Sequence, residues 1–147
     1  MTVLRMDNVG IVVDDLDEAI AFFTELGLQL EGQAEVHGDW ADGVTGLHGM
    51  HCEVAMMATP DGHGRLELSR FLHPVAVEDH RSAPVNALGY LRVMFTVADV
   101  DATLQRLEAH GASVVGRVVD YKRAYRLCYI RGPGGLLVAL AQELGGG

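Results

Sequence analysis

Val9–Gly32 reads VGIVVDDLDEAIAFFTELGLQLEG, and Val93–Gly116 reads VMFTVADVDATLQRLEAHGASVVG. The second segment lies over the first without a gap, at an offset of 84 residues. Six pairs are identical: Val9/Val93, Val13/Val97, Asp15/Asp99, Asp17/Asp101, Gly27/Gly111 and Gly32/Gly116. They fall on strand ends, helix starts and turns, where backbone geometry restricts residue choice, so an internal duplication explains them best.

Each copy has the same local logic. Val9, Ile11 and Val13 alternate with Asn8, Gly10 and Val12, and Val93, Phe95 and Val97 alternate with Arg92, Met94 and Thr96. A period of two predicts a strand with unlike faces, one apolar and able to carry a helix, the other small or polar and suited to line a cavity. Asp15 and Asp99 are helix N-caps, and Glu18, three residues after Asp15, completes a capping-box pattern. Leu16, Ala19, Ile20 and Phe23 form the inward stripe of the first helix, and Val100, Leu104 and Leu107 that of the second. Gly27 and Gly111 close these helices in a left-handed conformation.

Three strand candidates follow each helix: 28–36, 50–59 and 65–72 in the first copy, and 113–119, 124–131 and 136–142 in the second. Turns separate them at Pro60–Gly64 and at Gly132–Gly135, where Gly and Pro cluster. The expected organisation is one α+β domain over 1–147, made of two βαβββ modules in tandem. Module one spans 5–72, the linker 73–87 and module two 88–143. Each module leaves one sheet face bare, so the two are expected to pair as a curved sheet around a cavity.

A chain of 147 residues suits one compact domain, and 49% apolar with 21% charged residues is a globular composition. No apolar run reaches the roughly 18 residues of a membrane span, and the N-terminus carries no signal-peptide pattern. Two cysteines cannot form a disulfide framework, so a reduced, cytoplasmic setting is the expectation. The net charge of −9 disfavours nucleic acid as partner. Met6–Gly64 holds 12 carboxylates and no Lys or Arg, whereas Arg65–Gly147 holds 10 basic and 8 acidic residues. This asymmetry is either a solvated acidic surface or complementarity between the halves.

The runs DNVGIVVDDLDEAIAFFTELGL and RVMFTVADVDATLQRLEAHGA and the ending YIRGPGGLLVAL resemble the vicinal-oxygen-chelate superfamily of glyoxalases, bleomycin-resistance proteins and extradiol dioxygenases. The resemblance covers roughly Met6 to Gln142. It implies a divalent metal held by side chains from four strands, at positions that here are Asn8, Glu67, Arg92 and Ala139. Glu67 alone is a good ligand. A neutral amide is a poor donor for a transition metal, a guanidinium has no acceptor, and a methyl group has no donor atom. No metal and no cofactor is therefore expected. Arg92 and Glu67 are expected to face one cavity and pair there, with Asn8 beside them.

The resemblance to ring-cleaving dioxygenases also places Tyr129 against a ligand, with Tyr125 and Leu127 on its strand face. The alternative is a packed core tyrosine. Asp120–Arg126 mixes Arg and Tyr and could meet an anionic group, but reads better as a solvated hairpin. Trp40, the single tryptophan, sits in a Gly- and Asp-rich loop, as a stacking platform, a loop anchor or an interface residue. The seven histidines give no clear ligand spacing.

Three functions follow. The first is a metal-independent binder of a small organic molecule, using Asn8, Trp40, Glu67, Arg92, Met94 and Tyr129, for sequestration, resistance or transport. The acidic half favours a cationic ligand, and Arg92 an acidic or phenolic one. The second is a divergent lyase, isomerase or dioxygenase with Glu67 and Tyr129 as catalytic groups. The third is a structural or regulatory dimer without a ligand. The family resemblance implies a homodimer in each case, with no nucleic acid and no membrane as partner.

Overall fold

The computed structural model describes residues 4–90 and 92–145. The chain divides into two compact units, with the boundary between Glu78 and Asp79. The first unit contains β1 (Val9–Val12), α1 (Leu16–Leu26), β2 (Gln29–His37), α2 (Asp39–Thr45), β3 (His51–Ala58) and β4 (Arg65–His73). The second contains β5 (Arg92–Thr96), α3 (Val100–Glu108), β6 (Ser113–Val114), β7 (Val119–Tyr121), β8 (Tyr125–Arg131), a 3-10 turn at Pro133–Gly135 and β9 (Leu137–Glu143). Among the described residues, no helix is long and apolar enough to cross a membrane.

The duplication is visible in the sheets. The first has the order β1-β4-β3-β2 and the second β5-β9-β8-β6, with β7 added beside β8. β1 runs parallel to β4 and β5 parallel to β9, while the other pairs are antiparallel. Even single hydrogen bonds repeat. Val13 N donates to Ser69 O at 2.8 Å, and Val97 N, its counterpart 84 residues on, donates to Ala141 O at 2.8 Å. The fold is thus the α+β tandem of βαβββ modules expected from the repeat.

The helices form where capping and periodicity place them. Asp15 Oδ1 accepts from Glu18 N at 3.0 Å, and Asp99 Oδ1 accepts from Ala102 N at 2.9 Å. Each bond satisfies an amide that the first turn would otherwise leave unpaired. Gly27 at φ 124° ends α1, and its N–H reaches back to Phe23 O. α1 buries Leu16, Ala19, Phe22, Phe23 and Leu26 on its sheet, with Phe22 and Phe23 edge to face at 5.1 Å. Ile20 is only half-buried, and Phe22 takes the inward place the stripe gave it. In α3 the inward residues are Val100, Thr103 and Leu107, with Leu104 half-buried.

Three expectations need correction. Trp40 does not sit in a loop: Asp39–Thr45 is a short helix, made by the bond of Asp42 N to Gly38 O and covered inside by Ala41. Its buried side joins Met50, Cys52, Val36, Val54 and Phe71, an apolar patch that a local reading of DWADGVT does not reveal. The strand expected at 113–119 is two short strands, β6 and β7. Helix α3 ends at Glu108, three residues before Gly111, which takes φ 81° in the turn that follows.

Candidate ligand-binding cleft

In the second unit, alternate residues of β5, β8 and β9 lie on the face away from α3; those of β5 are exposed, whereas Leu137–Ala141 of β9 are buried throughout. Register sets Met94 beside Ala139 and Ala139 beside Tyr129, so the three form one row across the sheet. Arg92 lies two residues before Met94, on the same face. Its guanidinium carbon sits over the Tyr129 ring, 4.9 Å from the centroid, a cation–π contact. The opposite face carries the structural work. Gln142 Oε1 on β9 accepts from Val100 N at the start of α3, and Arg126 on β8 bonds Asp101 of α3 and Asp120 of β7 at 3.1 and 2.7 Å.

Above this row lies a cleft of about 610 Å³, lined by Gly89, Tyr90, Arg92, Met94, Leu127, Tyr129 and Ala139 among others. The volume is that of a small-molecule site. Ala139 is buried and contributes only a methyl group to the floor, which leaves the depth open. Met94 is 60% exposed on one side. The cleft is apolar except for backbone groups, the Tyr hydroxyls and one formal charge, on Arg92. Burial pushes the Cys128 thiol up and keeps it protonated.

The structure therefore brings together three of the residues read from the sequence, Arg92, Met94 and Tyr129. Tyr90 was missed, although it lies two residues before Arg92 and continues the alternation toward the start of module two. The other expected residues belong to the first unit. Glu67 is half-buried on the sheet face away from α1, next in register to Gly10 and Met56. It helps hold the buried Cys52 thiol protonated, though burial is the larger cause. Asn8, just before β1, donates to Asp7 Oδ1 at 3.0 Å. Trp40 is 64% exposed on α2.

The chemistry of the four positions at which the family resemblance implies metal ligands does not supply a full donor set. The guanidinium of Arg92 has donors only and no acceptor to offer an ion, and Ala139 has nothing to coordinate with. Among the described residues, no group of three His, Cys, Asp or Glu side chains is placed to hold a metal. His51 bonds Glu35 at 3.2 Å and packs edge to face on His37.

Comparison with known proteins agrees with this architecture. The chain is similar to the crystal structure of a glyoxalase family protein from Bacillus cereus, with 63% identity, a TM-score of 0.96, and 99% of this chain and 97% of that one covered. It shares its fold with an antibiotic-binding protein from Streptomyces, with 22% identity, a TM-score of 0.62, and 97% and 98% covered. It also shares the fold of a trypanothione-dependent glyoxalase I from Leishmania major, with 18% identity, a TM-score of 0.66, and 96% and 88% covered. No curated protein matches the chain. The family model of the Glyoxalase/Bleomycin resistance protein/Dioxygenase superfamily matches residues 5–140, and the chain belongs to that superfamily.

Proposed function

We propose that this protein is a metal-independent binder of a small organic molecule, of the sequestering or carrier type. The observation that carries the reading is the cleft of the second unit. Its floor is a methyl group and its one charged lining residue is an arginine, where the family resemblance puts two metal ligands. The two substitutions together leave at most two of the four implied donors, fewer than the about three protein donors that a catalytic ion needs. What remains is shape, apolar surface and one directed charge, which are the elements of a binding site. The antibiotic-binding fold relative supports the reading by analogy of fold.

Native mass spectrometry and elemental analysis of protein purified from its own host test this. The expected result is a bound organic mass of a few hundred daltons, the scale of ligand that a 610 Å³ cleft admits, and no stoichiometric metal. Met94→Trp, which fills the cleft from an exposed position, should remove the bound mass. Stoichiometric Fe, Mn, Ni or Zn in the purified protein would replace this reading with the enzymatic one. The same reading takes the protein to be a cytoplasmic homodimer. It is supported by the exposed apolar side chains Leu4, Met6, Val75 and Val77 of the first unit, and sedimentation equilibrium checks it.

A further inference from the structure

We infer that the cleft selects planar aromatic monocarboxylates, with the carboxylate on Arg92 and the ring along Met94, Leu127 and Tyr90. The inference rests on the binding reading above and names its ligand class. The sequence left two opposed preferences, a cation for the acidic half of the chain and an acid for Arg92, and the lining of the cleft favours the acid.

Three observations carry the choice. First, Arg92 is the only charged residue among the described residues lining the cleft. Second, the guanidinium is positioned without using its hydrogen-bonding capacity. Tyr129 holds it through its ring face. Within the second unit the described residues give its N–H groups no carboxylate, in contrast to Arg126, which grips Asp101 and Asp120, and Arg81, which grips Asp79. A carboxylate accepts two parallel N–H bonds from such a fork, a match of shape as well as charge. Third, the remaining walls are thioether, leucine side chain, methyl and tyrosine, which suit a flat apolar body. One cation balances one negative charge, so a monocarboxylate fits better than a phosphate ester.

The test is equilibrium binding by calorimetry of three probes with one ring system: 1-naphthoate, 1-naphthalenemethanol and 1-naphthylmethylammonium. The wild-type protein should bind naphthoate roughly tenfold or more tighter than the alcohol, as expected for a charge-assisted pair, and the ammonium weakest. Arg92→Gln should reduce naphthoate to the affinity of the alcohol, and Arg92→Lys should recover part of the difference. Equal affinity for naphthoate and the alcohol, or preference for the ammonium, overturns the ligand class and leaves the binding reading in place. Absence of binding by all three probes at millimolar concentration overturns both. An Arg92→Gln protein that keeps the wild-type preference for naphthoate overturns the role of Arg92.

Discussion

Arg131 shows how one side chain can fix a segment that has no regular structure. Its guanidinium donates to Arg81 O at 2.8 Å, Ala83 O at 2.7 Å and Gly135 O at 3.1 Å. Three carbonyls from two stretches of chain thereby share one cation. Arg81 in turn packs directly on Gly134 and Gly135, where a side chain would collide with it, and both glycines have positive φ. The Gly132–Gly135 turn is thus glycine-rich for two reasons, conformation and contact. Replacing Arg131 by Met keeps the stem and removes the bonds. Charged hydrogen bonds contribute roughly 1.5–3 kcal/mol each, and solvent compensates part of this at a half-buried site. Arg131→Met is therefore expected to lower stability by about 2 kcal/mol, read as a shift in the urea midpoint, and to speed amide exchange at Ala83. Arg92, by contrast, holds an aromatic ring and no backbone, which leaves its donors for a ligand.

At the scale of elements, the hairpin between β7 and β8 carries an avoidable cost. Ala124 N closes the turn on Tyr121 O at 2.9 Å, and both central residues, Lys122 and Arg123, have positive φ, at 49° and 58°. That is the geometry of a type I′ turn, which asparagine and glycine adopt far more readily than long side chains. Each non-glycine residue in the left-handed region costs on the order of 1 kcal/mol. The double variant Lys122→Asn, Arg123→Gly should therefore stabilise the protein by about 1–2 kcal/mol, seen as a higher thermal midpoint. The hairpin itself was legible in the sequence, as a polar stretch between two strands. Its strain was not, because dihedral angles follow from the register of β7 on β8. Helix α2 escaped for a related reason. Seven residues with two aspartates and a glycine have weak helix propensity, and the patch of Met50, Cys52 and Phe71 beneath them comes from strands β3 and β4.

At the scale of the whole molecule, several loops depend on ionised carboxylates. Asp42 accepts from Gly49 N and Met50 N, at 2.8 and 2.9 Å, and these bonds hold its carboxyl below the usual range. Asp61 is lowered by Thr59 Oγ1 and His63 N, and Asp79 by the Arg81 side chain and backbone. A carboxyl with a lower pKa in the folded state adds stability that is complete above its unfolded value, about 3.9, and is lost as pH falls below it. The urea midpoint should accordingly be flat from about pH 7 to 5 and fall below about pH 4. The triple variant Asp42→Asn, Asp61→Asn, Asp79→Asn should start lower at pH 7 and fall less steeply in acid. A triple variant with the wild-type acid profile would show that other carboxylates control the transition.

The sequence by itself determined the repeat, the alternation of each strand, the capped helix starts and hence the α+β tandem, because these features are written in neighbours a few residues apart. The family resemblance of its motifs also implied that Arg92 and Ala139 stand where a metal would need donors, an expectation that rests on matching those motifs. Tertiary structure decided which of the exposed residues meet. Arg92 over Tyr129, Tyr90 at the cleft, Gln142 at the start of α3 and Arg131 across the linker all join positions far apart in the chain. Their contacts follow from strand register, and a shift of one residue would turn every one of those side chains to the other face of the sheet.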